Sequence, residues 1–73
     1  MKCPICSKNM ILDDVDNHDR YGMNCDKYYI CEDENCETHA ITKIRNNIVI
    51  GTTYYNSSSI EPIKIEVGNG KHK

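Results

Sequence analysis

The chain has 73 residues, of which 27% are charged, and its formal net charge at pH 7 is −2. This length allows one small domain, and at this size the burial of apolar surface barely offsets conformational entropy, so a metal or disulfide staple is usually needed. Neither Trp nor Phe is present, and no apolar run approaches the length of a membrane-spanning helix.

The charge is unevenly distributed along the chain. Residues 1–37 carry four Lys or Arg and nine Asp or Glu, a net charge of −5, whereas residues 38–73 carry five and two, a net charge of +3. An acidic N-terminal half repels phosphate, so the charge profile argues against a metal knuckle that lies on nucleic acid. An acidic surface instead favours a basic protein partner.

The first predicted element is a metal knuckle with the sequence CPIC, in which two residues separate Cys3 from Cys6. This spacing places two sulfurs on one side of an ion, as structural zinc sites require. Pro4 presets one φ of the turn, and Ser7 stands where most knuckles of this kind carry Gly. A knuckle that begins two residues after Met1 leaves no room for a signal peptide, so we expect a cytoplasmic protein with reduced thiols.

An acidic stretch follows the first knuckle. Residues 10–12 are apolar and predict a short strand, and residues 13–24 predict a polar loop with Gly22 as a turn residue. A calcium-binding EF-hand loop beginning at Asp14 is excluded, because the required glycine position is Asp19. We expect a solvated acidic surface, and a partner-contact patch is the alternative.

The second cysteine pair follows a predicted strand. Residues 27–31 read KYYIC, which has the aromatic and β-branched content of a strand, and the sequence CEDENC then places Cys36 five positions after Cys31. The two pairs together supply four soft donors, which predicts one structural Zn²⁺ bound by Cys3, Cys6, Cys31 and Cys36. Two disulfides in a secreted miniprotein are the alternative, but an odd count of five cysteines fits disulfides poorly.

Other residues compete for the metal. Cys25 lies outside the usual knuckle spacing and is predicted to be a small buried hydrophobe, with a replacement ligand or redox-sensing thiol as the alternative. His39, three positions after Cys36, is predicted to be an exposed strand histidine rather than a substitute ligand. His18 and His72 are predicted to be solvated.

The remaining chain predicts strands. Residues 38–45 and 48–55 form a hairpin around the Asn46-Asn47 turn, because Asn tolerates positive φ, and Gly51 marks a bulge or a close approach. Residues 60–67 predict a further strand that follows a loop at residues 56–59. Its inward residues are expected to be Ile63, Ile65 and Val67.

The predicted fold is all-β. It is a small zinc ribbon, with two cysteine knuckles on a β-hairpin, followed by a C-terminal β-hairpin and strand extension. We expect a single domain over residues 1–67, with knuckles at 3–8 and 31–37 and strands within 38–67. Residues 68–73 are expected to form a disordered tail.

Residues 1 to about 45 resemble the Ogr/Delta family of phage zinc-finger proteins, which activate late transcription. The resemblance rests on CPIC near Met1 and on KYYICEDENCETHAITKI, which places Tyr28 three positions before the second pair and Asn35 before its last cysteine. It implies four-cysteine zinc ligation, a phage-encoded protein acting in the host cytoplasm, and contact with RNA polymerase and DNA.

These observations predict a small zinc-binding adaptor that regulates by binding a host protein, with the transcription machinery favoured. A nucleic-acid-binding ribbon is the first alternative, with a contact face formed by Lys43, Arg45, Tyr54, Tyr55 and Lys64. An inhibitor of a host defence enzyme is the second. A zinc ion closed by four thiolates has no open position for water, so we expect no enzyme, no small-molecule substrate and no membrane partner.

Overall fold

The computed structural model describes residues 1–58 and 60–68 and contains five strands. They are β1 (Met10–Asn17), β2 (Cys25–Cys31), β3 (Thr38–Arg45), β4 (Ile48–Asn56) and β5 (Lys64–Val67). All neighbours are antiparallel and the sheet follows the chain in the order β1-β2-β3-β4-β5. The all-β prediction is confirmed. Across the described residues there is no helix long and apolar enough to cross a membrane.

Strand β1 is longer than the sequence predicted. It continues to Asn17 and pairs with the whole of β2, so the predicted loop at 13–24 is reduced to residues 18–24. A bulge between Leu12 and Asp14 interrupts the register. Because β1 is an edge strand and its aspartates are exposed, acidic side chains remain solvated there while one side of its backbone pairs with β2.

The β3–β4 hairpin is formed as predicted. Asn46 and Asn47 have φ angles of 52° and 62°, the left-handed pair that a two-residue hairpin turn of type I′ requires. The predicted bulge is present as a register shift between Lys43 and Ile44, opposite Gly51. A Cβ on Gly51 would lie 2.9 Å from the carbonyl oxygen of Glu66, so this glycine permits the close approach of β5.

The predicted orientation of the last strand is wrong. The strand covers only Lys64–Val67, and two of the residues expected to face inward, Ile65 and Val67, are 65% and 85% exposed. Ile63 lies before the strand and packs against the core, as expected. The sequence alternation was correct, but the register with β4 reversed the two faces.

Side-chain chemistry explains this reversal. Glu66 lies opposite Thr52 and accepts a hydrogen bond from the hydroxyl of Tyr54, which is only 3% exposed. The ammonium of Lys64 lies 5.8 Å from the centroid of the same ring. A buried tyrosine hydroxyl needs a hydrogen-bond partner, and Glu66 provides it because the polar residues of β5 face the same side of the sheet as Tyr54.

The sheet has two unlike faces. We call the first the knuckle face; it carries the buried residues of the central strands, Cys25, Cys31, Thr38, Ala40, Thr42, Thr52 and Tyr54. We call the second the open face; it carries Tyr28, Ile30, His39, Ile41, Thr53 and Tyr55, together with Ile11 of β1 and Ile65 of β5. The core cluster joins Cys3, Met10, Cys31, Ala40 and Tyr54 on the knuckle face. The first nine residues therefore cover one end of that face.

Gly68 is the last described residue, and its N–H donates to the carbonyl of Ile50 over 2.6 Å. The rest of the predicted tail, residues 69–73, lies outside the described residues, as does Ser59 of the predicted loop. The prediction that 68–73 form a disordered tail stays a prediction beyond Gly68.

Tyr54 generates a pH prediction. Burial and the hydrogen bond to Glu66 raise the pKa of Tyr54 to about 12 from its ordinary value of 10.0. Because the folded protein favours the neutral phenol, this contribution to stability is complete below about pH 10 and is lost as the pH rises toward about 12. Titration by tyrosinate absorbance should therefore reveal one late-ionising residue among the five tyrosines.

The variant Tyr54→Phe should remove the late phase, and Glu66→Gln should shift it to lower pH because the acceptor loses its negative charge. Tyr55→Phe is the matched control, since Tyr55 lies next in sequence but on the open face. A late phase that persists in Tyr54→Phe would contradict the assignment.

Candidate metal centre

The first knuckle is a tight turn held by backbone hydrogen bonds. The N–H of Cys3 donates to the carbonyl of Lys8 over 2.8 Å, and the N–H of Ser7 donates to the carbonyl of Cys3 over 2.9 Å. The N–H of Ile5 points at the sulfur of Cys3 over 3.4 Å. Ser7 has a φ of 65°, in the left-handed region that favours glycine. Ser7 stands where knuckles of this kind usually carry Gly, and its positive φ is therefore energetically unfavourable.

The second knuckle repeats this geometry on a wider turn. The N–H of Cys36 donates to the carbonyl of Asp33 over 3.0 Å, and the Asp33 carboxylate accepts the N–H of Asn35 over 3.0 Å. Glu37 has a φ of 54° and follows its cysteine pair as Ser7 follows the first. In both knuckles the residue after the second cysteine is left-handed, which turns the chain away from the sulfurs.

The two knuckles bring four sulfurs together at the end of the knuckle face. The Sγ atoms of Cys3 and Cys36 lie 3.6 Å apart, and those of Cys6 and Cys31 lie 3.4 Å apart. All four Sγ atoms lie within 4.8 Å of one another. A tetrahedron with metal–sulfur bonds of about 2.3 Å has sulfur–sulfur edges of about 3.8 Å. The four cysteines are free thiols in this structure, and their spacing fits a metal ion.

The pKa values of Cys3 and Cys31 are shifted in opposite directions. Burial opposes ionisation of Cys3, but the N–H groups of Cys6 and Ile5 and the Thr38 hydroxyl lower its pKa to about 6. Burial and the hydrogen bonds to the other three sulfurs raise the pKa of Cys31 to about 12. Close contact between the sulfurs opposes ionisation of Cys31 and Cys36. The positive charge of a bound divalent ion would stabilise all four thiolates and release their protons.

Polar contacts around the sulfurs hold them in place. The Cys36 sulfur lies 3.1 Å from the hydroxyl of Thr38, and the side-chain amide of Asn56 donates to the carbonyl of Cys36 over 2.9 Å. The hydroxyl of Thr38 lowers the pKa of Cys36, but burial and the sulfurs of Cys3 and Cys6 outweigh it and the net shift is upward. Such second-layer contacts orient metal ligands.

Side chains also join the two knuckles outside the sulfur group. The ammonium of Lys8 lies 3.1 Å from the carboxylate of Asp33. The N–H of Asn9 donates to the carboxylate of Glu32 over 3.2 Å, and the N–H of Glu32 donates to the carbonyl of Asn9 over 3.0 Å. These contacts fix the two knuckles relative to each other, as a structural metal centre requires.

The competing residues lie elsewhere. Cys25 is 4% exposed within β2 and is not part of the four-sulfur group, as a small buried hydrophobe should be. His39 is exposed on the open face, and its Nε2 lies 3.3 Å from the hydroxyl of Ser57. His72 lies outside the described residues.

His18 is exposed as predicted but not free. Its Nε2 lies 3.1 Å from Asp26, whose other carboxylate oxygen accepts from Arg45 over 3.0 Å. Burial raises the pKa of Asp26, but the contacts with His18 and Arg45 outweigh it, and the net shift is downward. Asp16 lies opposite Asp26, so the sheet gathers a second set of potential ligands that the sequence did not reveal. Within this set, the carboxylate of Asp26 is already paired with His18 and Arg45.

The predicted nucleic-acid face is not formed as one surface. Lys43, Arg45 and Tyr55 lie on the open face, whereas Tyr54 and Lys64 lie on the knuckle side of the sheet. Tyr54 is buried and its hydroxyl is bonded to Glu66, so its ring cannot serve as a base-stacking platform. On the open face, Tyr55 and Lys43 remain available from the predicted set, since Arg45 is paired with Asp26, while Lys64 is exposed on the opposite side of the sheet.

No family model, curated protein or solved structure matches this chain. The resemblance of residues 1–45 to the Ogr/Delta family therefore stays a prediction. The geometry of the site and of the sheet faces carries the functional argument.

The metal centre predicts a sharp difference among the five cysteines. Losing a structural metal costs on the order of 10 kcal/mol, which is comparable with the whole stability of a small domain. We expect Cys31→Ser to abolish metal binding and cooperative folding. The measurement is metal content by elemental analysis, together with the absorption of the Co²⁺-substituted protein, which reports tetrahedral thiolate coordination.

Cys25→Ser is the matched control and should keep the metal content and the Co²⁺ spectrum of the wild type, because Cys25 lies outside the sulfur group. Cooperative unfolding of a reduced, metal-free protein would contradict the assignment of a structural centre.

Ser7 predicts a stabilising substitution. A non-glycine residue at φ 65° is strained, so Ser7→Gly should raise the free energy of unfolding of the metal-bound protein by about 1 kcal/mol. Denaturant unfolding measures the change. Ser7→Ala is the control, since it removes the hydroxyl but retains the Cβ; an equal gain in Ser7→Ala would show that strain is not the cause.

Proposed function

We propose that this protein is a zinc-stapled β-sheet module that binds a protein partner through its open face and catalyses no reaction. The four-sulfur group supports a closed metal centre, and four thiolates in a tetrahedron suit Zn²⁺. The observation that carries the proposal is the difference between the two faces of the sheet. The metal secures one face, and the other presents apolar and aromatic side chains to solvent.

The open face has the composition of a contact surface. Tyr28, Ile30, Ile41 and Tyr55 are half-buried on the central strands, and Ile65 is 65% exposed on β5. Within the described residues no second layer of secondary structure covers this face. Aromatic and aliphatic side chains at the centre of a rigid surface are typical of protein interfaces.

The β1 bulge adds an acidic pocket to this surface. A depression of about 290 Å³ is lined by Asp13, Asp14, Tyr28, His39 and Ile41, among others. Two carboxylates beside a tyrosine ring suit a Lys or Arg side chain, which gains both charge pairing and a cation–π contact. The proposed partner therefore presents a basic side chain next to an apolar patch.

The transcription machinery is the favoured partner, and RNA polymerase is its leading member. The support is the resemblance of the two cysteine pairs and their surrounding residues to phage activators of late transcription, together with the acidic pocket, which suits a basic protein surface. A host defence enzyme would be bound in the same way. Nucleic acid is disfavoured, because the open face is bordered by exposed aspartates on β1.

The experiment measures binding of the zinc-loaded protein to purified bacterial RNA polymerase at low salt. Ile41→Asp places a charge at the centre of the open face, and Asp14→Asn removes a carboxylate from the pocket. We expect Ile41→Asp to weaken binding at least about tenfold and Asp14→Asn to weaken it by several-fold, with a reduced dependence on salt.

Glu32→Gln is the matched control, since it removes one exposed negative charge from the second knuckle, where the side chain faces Asn9 of the first knuckle rather than the open face. Zinc content verifies that each variant is folded. Absence of wild-type binding would overturn RNA polymerase as the partner. Equal binding by Ile41→Asp and the wild type would overturn the open face as the contact surface.

A further inference from the structure

A groove of about 450 Å³ lies on the knuckle face, at the end of the sheet away from the metal centre. It is lined by Met1, Cys25, Lys27, Tyr29, Thr42 and Thr52, among others. The first nine residues pack over the end of this face that carries Cys31 and Tyr54, and they are too few to cover the rest. The groove is the uncovered remainder of the face.

Side-chain size explains why this remainder is concave. Its floor is built from the small residues Cys25, Thr42 and Thr52, while Tyr29 and Ile44 are larger and line the same space. The hydroxyls of Thr42 and Thr52 lie 2.9 Å apart and satisfy each other. The floor is therefore buried, small and free of unmet hydrogen bonds, and the groove offers mainly apolar contact.

Lys27 is the one charged side chain among the residues that line the groove. It is half-buried, and within residues 1–58 and 60–68 its ammonium forms no ion pair or hydrogen bond. The lining contains no Asp or Glu. Met1 also lines the groove, so its α-ammonium adds to the positive charge of this region. Positive charge beside an apolar space is complementary to a ligand with a negative group and a hydrocarbon body.

We propose that this groove binds a monoanionic amphiphile, specifically a medium-chain carboxylate. The carboxylate pairs with the ammonium of Lys27, and the hydrocarbon chain lies along Tyr29, Ile44 and Val49 over the small-residue floor. A carboxylate needs one charged hydrogen-bond donor, and Lys27 provides it. The volume is within the range of small-molecule sites, which is about 300–1,000 Å³.

This site is independent of the proposed partner surface. Lys27 and Thr42 lie on the knuckle face, whereas Tyr28 and Ile41 lie on the open face, so both surfaces can be occupied at once. The sequence predicted no small-molecule substrate, and the groove requires no turnover. Ligand binding in this groove involves no chemical step and is compatible with a module that catalyses no reaction.

The test is a titration of the zinc-loaded, isotope-labelled full chain, followed by amide chemical shifts in NMR spectra. The probes are octanoate and octylamine, which have the same chain length and opposite charge. We expect octanoate to give saturable shifts at the amides of Cys25, Lys27, Thr42 and Thr52. Octylamine should bind at least about tenfold more weakly, because Lys27 repels it.

The variant Lys27→Met keeps the apolar stem and removes the charge, so it should weaken octanoate binding about tenfold, and Lys27→Arg should restore it. Lys43→Met is the matched control; Lys43 is an exposed lysine of the open face and should not affect the titration.

Equal affinity for octanoate and octylamine would overturn the proposal, as would octanoate shifts confined to the open face. An absence of saturable shifts with octanoate would overturn it as well. If Lys27→Met fails to retain zinc, the comparison of the two probes on the wild type still decides the question.

Discussion

Four thiols that converge at one end of the sheet are the constraint on which the rest of this molecule depends. The first knuckle contributes Cys3 and Cys6 from a segment of nine residues that has no other means of covering a sheet. Binding all four sulfurs to one ion would fix this segment over Cys31 and Tyr54 and close the loop between the two pairs. In a chain without Trp or Phe, such a link replaces contacts that a larger core would supply.

The short reach of that knuckle segment explains the asymmetry of the sheet. It buries the metal end of the knuckle face and leaves a groove beside Lys27, while the opposite face has no covering layer among the described residues. A single sheet with one partly covered face thus presents two distinct surfaces. One is a concave space whose one charged side chain is Lys27, and the other is an aromatic and aliphatic surface bordered by the acidic strand β1. A small chain can in this way carry two surfaces of different shape and charge.

Local backbone geometry supports the same arrangement. Ser7 and Glu37 adopt left-handed conformations after each cysteine pair, and Asn46 and Asn47 do so in the hairpin turn. Asn tolerates this conformation, whereas Ser7 and Glu37 are strained by it. At the knuckles this strain directs the chain away from the sulfurs, and stabilisation by a bound metal would more than offset it. Gly51 is used where close backbone approach, rather than φ, demands it.

The sequence by itself determined the β class, the cysteine pairs that converge, the Asn46-Asn47 turn and the bulge at Gly51, because these depend on local spacing and turn chemistry. Only the tertiary structure decided which way β5 faces, how far β1 extends and where Lys27 lies. These depend on strand register, and a shift of one residue exchanges the two faces of a strand without altering its pattern. Hydrophobic alternation predicted the opposite orientation for β5. In the observed register, Glu66 faces the buried hydroxyl of Tyr54 and accepts its hydrogen bond.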